Sequence, residues 1–224
     1  MLRRITMIAG LAASLAVPGW AQDSETPDSG DANVAAATAE ETAQRQLPDG
    51  TTMRLDDLRR LSGLNRDLGA ALRQAFAGGA SDDLDRVAEA LRGTPLPPAD
   101  AKALMVGAWS CQMIKIGGVV ALTVYTPFSC EMDEDGHFQK LTGSQRTVGR
   151  VQEWDGQLVY LGTAYVTGQT PLPYAETPED VSPANAGLQA PDAGIVEMTG
   201  ADTGRILLPS PYVESRLNLL VLRR

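Results

Sequence analysis

The sequence predicts an α+β fold in which N-terminal helices pack on an eight-stranded antiparallel β-barrel. Three observations carry this. Apolar residues recur every three or four positions from Leu55 to Leu91. After Gly107 the apolar period drops to two, and turn residues divide the chain into eight alternating segments. No helical stretch separates those segments, so their pairing is antiparallel, and closing the sheet hides its edges. With 224 residues, 43% hydrophobic and 21% charged, the chain fits one globular domain with an appendage. Its 22 glycines and 14 prolines exclude an all-helical bundle.

Residues 1–21 read as a secretory signal peptide outside the fold. Arg3 and Arg4 give the positive start and Ile5 to Val17 the apolar stretch. Gly19 and Ala21 are the small residues before a cut near Ala21. The stretch is shorter than the ~20 apolar residues of a membrane span, an uncleaved anchor being the competing reading. The protein is therefore expected to be periplasmic or secreted, with no transmembrane segment after signal cleavage. Residues 22–50 hold seven acids and one base, Arg45. Such a stretch buries too little apolar surface to offset its ordering entropy and reads as a disordered acidic linker.

Residues 51–105 form the helical segment. Leu55, Leu58, Leu61, Leu64, Leu68, Leu72 and Phe76 make one apolar stripe. Thr51 or Thr52 suits its cap, Ser62-Gly63 a kink, and Gly78-Gly79 its end. Ser81 is the expected cap of a second helix, with Asp82 and Asp83 at the positive end of its dipole. Leu84, Val87, Ala88 and Leu91 are its stripe, and Gly93 stops it. A short helix is expected from Pro98 to Met105. A single stripe implies that the helices cover one side of the barrel.

Residues 106–224 form the barrel. Strands are expected at 108–116, 121–132, 137–143, 147–154, 157–166, 194–199, 204–209 and 213–223. Turns are expected at Gly117-Gly118, Asp135-Gly136, Asp155-Gly156, residues 201–204 and Ser210-Pro211. Asp155-Gly156 is the cleanest hairpin signal. In the last strand Val213, Ser215, Leu217, Leu219 and Val221 share one face. Residues 167–192, with five prolines, read as a surface loop.

Cys111 and Cys130 are the only cysteines. Export permits a disulfide, and a hairpin at Gly117-Gly118 sets residue 111 opposite about residue 130. Two buried free thiols are the alternative. A net charge of −9 with no basic stripe excludes nucleic acid as a partner. The single histidine, His137, follows Asp133-Glu134-Asp135-Gly136 and reads as a turn residue. Phe138, Lys140 and Leu141 break the alternation that a calcium loop needs. No metal, no cofactor and no catalytic residue is assigned.

The most polar stretch of the barrel region is Gly143-Ser144-Gln145-Arg146-Thr147. It is not a nucleophile elbow, and there is no second histidine to serve as a base. Two readings stand. One is a bulged strand whose Arg146 pairs with Glu214 or Glu131. The other is a ligand-binding clamp for an anion or carboxylate, made by Arg146 with Ser144 and Gln145 as donors. Glu131, Glu153, Glu197 and Glu214 lie on or near strands, and acids on outward faces are the default.

Gly107-Ala108-Trp109 resembles the Gly-x-Trp that opens calycin barrels. That resemblance implies a tryptophan under the barrel floor and an arginine of the last strand beside it. Arg223 is then the natural partner of Trp109, with Arg216 second. A second resemblance covers about residues 53–224. It is carried by Gly107-Ala108-Trp109-Ser110-Cys111, by Lys115-Ile116-Gly117-Gly118, and by Tyr125, Phe128 and Cys130. Leu141 to Thr147, Pro209 to Ser215 and Val221 to Arg224 continue it in the same order. These blocks resemble domain-of-unknown-function family 4893 of exported bacterial proteins, which implies no activity. Gln112 stands where that resemblance leads one to expect an arginine after the first cysteine. Bacterial inhibitors of secreted metalloproteases are similar in layout as small exported barrels with one disulfide.

Three function classes follow. The first is a non-enzymatic binding or protein-interaction module, inhibitor-like, taking a periplasmic protein partner. It needs an interior filled with side chains. The second is a carrier of a small apolar ligand, which needs a cavity of roughly 300 Å³ or more. The third is an enzyme, which needs two or more polar side chains converging in a pocket.

Overall fold

A computed structural model of the protein describes residues 38, 40–179, 181 and 189–224. The signal segment and residues 22–37 of the linker lie outside the described residues. Nine strands of the described residues form one antiparallel sheet. They are β1 (Gly107–Gly118), β2 (Leu122–Val124), β3 (Phe128–Met132), β4 (His137–Lys140), β5 (Gln145–Trp154), β6 (Gln157–Val166), β7 (Gln189–Met198), β8 (Thr203–Pro209) and β9 (Ser215–Arg223). β9 pairs back onto β1 from Ser110↔Arg223 to Gly118↔Ser215, which closes the barrel. β2 and β3 share the other edge of β1, so the nine segments make a wall of eight strands.

The expected strand 121–132 is interrupted for a physical reason. The Tyr125 N–H donates to the Met113 carbonyl at 3.0 Å, in register with Ile114↔Val124. In β3 the register is Cys111↔Phe128, one residue longer on that side. The extra residue is a bulge at Thr126-Pro127, where proline has no N–H to give a ladder. A one-residue slip exchanges the two faces of a strand. Tyr125 and Phe128, of opposite parity, can therefore both serve the interior, with ring centroids 6.5 Å apart.

Alternate residues of each strand fill the barrel. Trp109, Met132, Phe138, Tyr160, Ile206 and Leu220 belong to this inner cluster. Cys111 and Cys130 join within it as a disulfide with Cα atoms 5.9 Å apart. The two are diagonal rather than opposite, because the bulge sets Cys111 against Phe128. The outer face of β1 and β9 is also buried. Ile114, Ile116, Leu217, Leu219 and Val221 pack there against helical residues. Burial on both faces explains why β9 is apolar almost without a break, whereas its alternating stripe faces the helices.

Four helices precede the barrel among the described residues after a helical stretch at 40–44: α1 (Leu55–Ser62), α2 (Leu64–Gly78), α3 (Ser81–Ala90) and α4 (Pro98–Met105). Gly63 separates α1 from α2 in a right-handed helical conformation, which makes the expected kink. The expected caps differ. α1 begins after Arg54, and Thr52 is drawn into a bridge with Gln46. Ser81 is the first residue of α3, not its cap. α2 meets the barrel through Ala71 and Ala75, both fully buried, while Phe76, expected in the stripe, is 69% exposed. Small side chains let the helix approach β1 closely, and the leucines flank that contact. None of the described helices is long and apolar enough to cross a membrane.

Leu47, expected within the linker, is packed, while its neighbours from Gln44 to Gly50 are exposed or half-buried. Leu47 and Met53 are buried with Val159, Leu161 and Ile195. Arg45 Nη1 donates to the Met53 carbonyl at 2.6 Å, and Trp154 Nε1 to the Gln44 carbonyl at 3.2 Å. Aromatic and aliphatic groups far along the chain supply the apolar contacts that the segment lacks by itself. The loop after β6 ends earlier than expected, since Pro191 lies in β7 opposite Thr163. Its described part is tied down by Thr163 Oγ1 to the Leu172 carbonyl at 2.8 Å and by Tyr174 to Asp57 at 2.5 Å.

Two glycines face each other inside the wall, Gly149 on β5 and Gly162 on β6. A Cβ on Gly162 would fall on the Tyr160 hydroxyl and the Val148 carbonyl. The missing side chain is what admits the Tyr160 ring. Gly162→Ala is expected to lose about 2–3 kcal/mol by overpacking and about 5–10 °C in Tm. An unchanged melting curve would contradict this packing.

Candidate functional site

The barrel interior is apolar at one end and polar at the other. At the apolar end Trp109 Nε1 donates to the Met105 carbonyl at 2.6 Å. The Arg224 guanidinium lies 3.9 Å from the Trp109 ring and donates to the Val106 and Ala108 carbonyls. Arg223, the expected partner, instead pairs with Glu89 at 2.8 Å. The β1–β9 register explains the correction. Arg223 is opposite Ser110, on the outward face, so the residue level with Trp109 is Arg224. Arg216, the second choice, precedes Leu217 at the far end of β9.

In the middle Tyr160 is fully buried, edge-on to Phe138 with centroids 5.7 Å apart. Burial pushes its hydroxyl well above the ordinary tyrosine range, so it keeps its proton. Its oxygen lies 2.6 Å from Thr147 Oγ1, which in turn donates to Asp192 at 2.9 Å. Thr147 spends its one proton on Asp192, so Tyr160 is the donor in the first bond. Burial raises the Asp192 pKa, with Arg60 and Thr147 opposing the rise.

Toward the polar end the cations gather. Lys115 follows Trp109, Cys111 and Met113 in phase along β1, and Lys140 sits opposite Cys130. Both are therefore inward and buried, and they are two of only three lysines in the chain. Lys115 pairs with Glu214 and donates to Gln145 Oε1 at 2.8 Å. That pairing holds the Glu214 carboxyl below its ordinary range. Lys140 donates to the carbonyls of Thr142 at 2.8 Å and Gln145 at 2.7 Å, 3.7 Å from the Phe128 ring centre. Burial, then Arg146 and Lys115, pull its pKa down to about 8. Arg146 Nε donates to the Gly143 carbonyl at 3.2 Å. Among the described residues neither Lys140 nor Arg146 pairs with a carboxylate.

Arg60 reaches this end from α1. Its Nη1 meets Asp57 at 2.7 Å and its Nε the Pro209 carbonyl at 3.1 Å. Its Nη2 is buried without a hydrogen-bond partner among the described residues. Arg60, Lys115, Gln145, Arg146, Asp192 and Tyr212 line a cavity of about 90 Å³. Met113, Lys115, Tyr125, Phe128, Lys140, Ser144, Gln145 and Glu214 line a second of about 180 Å³. Lys115 and Gln145 belong to both, so the two are contiguous.

The structure thus brings Ser144, Gln145 and Arg146 to the barrel mouth. The alternative pairing of Arg146 is not made, since Glu214 is taken by Lys115 and Glu131 by Gln139 at 2.6 Å. Sequence reasoning missed Lys115, Lys140, Arg60 and Asp192. A signal existed for the lysines, because each stands on an inward position of an apolar strand. None existed for Arg60, which belongs to a helix distant in sequence. The interior behind the mouth is filled with side chains. A cavity of about 460 Å³ lies elsewhere, between the outer face of β5 and β6 and the loop at Leu172 and Tyr174.

A family model described as a domain of unknown function (DUF4893) matches residues 51–222. No curated protein and no solved structure matches the chain.

Proposed function

The chain belongs to the DUF4893 family, and we propose that it is an exported binding module that holds an anionic group in the cationic mouth of a filled barrel. The observation that carries this is the Nη2 of Arg60, buried and without a hydrogen-bond partner among the described residues, at a cavity that Lys115 and Arg146 also line. A buried donor left unmade costs about 1–3 kcal/mol. The unmade donor of Arg60 and the Arg146 guanidinium, which meets no carboxylate among the described residues, share one cavity, which a ligand oxyanion completes. A cavity of about 90 Å³ suits a carboxylate or another small anion. The export part is supported by the disulfide, which fits an oxidising compartment, and by the N-terminal pattern.

The pH dependence has a definite sign. The mouth is most positive when Lys140 is charged and Asp192 is neutral. Raising the pH favours the ionised form of Asp192, whose pKa burial raises, and deprotonates Lys140 near 8. Anion affinity therefore falls as pH rises through that range. Calorimetric titration of the intact chain with benzoate tests the reading. At pH 6.5 one site is expected, weaker at pH 9. Lys140→Gln and Arg146→Gln are each expected to weaken it about tenfold, in line with a charge-assisted hydrogen bond. No saturable binding at pH 6.5, or an affinity that neither substitution lowers, sinks it.

A further inference from the structure

We infer that the group held in the mouth is the C-terminal carboxylate of an extended peptide ending in an apolar residue. This rests on the anion-binding reading and names its ligand class. Three neighbouring features match the three chemical parts of such a terminus. The first is the cationic cavity of Arg60, Lys115 and Arg146, which takes the carboxylate. The second is the cavity faced by Met113, Tyr125 and Phe128, which takes an apolar side chain. Lys115 and Gln145 line both cavities, so the two are adjacent.

The third is an open strand edge. Among the described residues β2 pairs with β1 alone. The Gly117 N–H bonds the Ala121 carbonyl at 2.9 Å and the Tyr125 N–H bonds that of Met113 at 3.0 Å. Residues 121, 123 and 125 therefore turn their main chain to β1. The N–H and C=O groups of Leu122 and Val124 point the other way. The β4–β5 ladder covers only Val148 to Arg150, so Gln145 to Thr147 also lack a strand on that side. Tyr125 follows β2 directly, and both it and Gln145 line the second cavity. An edge of this kind binds an extended chain by strand addition, with alternate side chains entering pockets. A simple anion uses only the first feature and a fatty acid only two.

The test is calorimetric titration of the intact chain with acetyl-Ala-Ala-Ala-Phe as free acid, the same peptide as amide, acetyl-Ala-Ala-Ala-Gly as free acid, and acetate. The Phe acid is expected to bind at least about tenfold tighter than the other three, the worth of one buried aromatic side chain or one paired charge. Val124→Pro removes one edge N–H and is expected to weaken the Phe acid while leaving acetate unchanged. If acetate binds and the Phe acid is no tighter, the peptide inference fails and the anion reading stands. If amide and acid bind alike, the carboxylate has no such seat and the inference fails. If neither acetate nor any peptide acid binds, both readings fail.

Discussion

Trp109→Ala is expected to cost about 3–5 kcal/mol, the usual range for emptying a buried aromatic site. In a domain of this size that lowers Tm by roughly 10 °C or more. Trp109 is 3% exposed, satisfies the Met105 carbonyl and carries the Arg224 guanidinium on its ring. Its loss opens a cavity at the barrel floor, removes the indole donor from the Met105 carbonyl and takes the ring from under Arg224. The neighbouring arginines give the discriminating control. Arg224→Ala is expected to lose about 1–2 kcal/mol through the stacking and the two carbonyl bonds. Arg223→Ala removes only an exposed ion pair and is expected to stay within about 0.5 kcal/mol. Urea unfolding of the three variants measures this. A larger effect at Arg223 than at Arg224 would mean that the β1–β9 register is off by one residue.

Replacing Cys111 and Cys130 together by alanine is expected to cost about 3 kcal/mol, the chain-entropy value for a loop of about 20 residues. The bond fastens β1 to β3 just below the bulge. The variant should remain folded at neutral pH, because the β1–β9 seam holds the other edge of β1. Anion binding should weaken with it, since Phe128 and Lys140 are placed by the β3–β4 ladder beside that bond. Denaturant midpoints with and without reductant, read with benzoate affinity, check both statements. An unchanged midpoint on reduction contradicts the role given to the bridge.

The architecture was legible because periodicity is local. The change from a 3.6-residue to a two-residue period at Gly107, and turns such as Asp155-Gly156, placed most strands within a few residues. The errors came where a distant contact overrode local pattern. Pro127 broke one strand by denying it an N–H, which also turned Tyr125 and Phe128 toward the same cavity. The partner of Trp109 was misplaced by one position because strand parity depends on register, which only the ladder fixes. Phe76 looked like core, yet the helix docks through Ala71 and Ala75, whose small size carries no periodic signal. The triad Ser144, Gln145 and Arg146 was readable as a polar break in an apolar barrel. Arg60, in a helix outside the wall, was not.

Those positions define the mouth, and the scarcity of lysine gives direct access to it. The chain has Lys102 on α4 and only Lys115 and Lys140 besides. Protein labelled with 13C at lysine Cε, titrated with benzoate at pH 6.5, should show three signals. The account predicts saturable shifts at Lys115 and Lys140 with Lys102 stationary, and loss of the Lys140 shift as pH passes about 8. Three unmoved signals, or Lys102 moving as far as the other two, would contradict it.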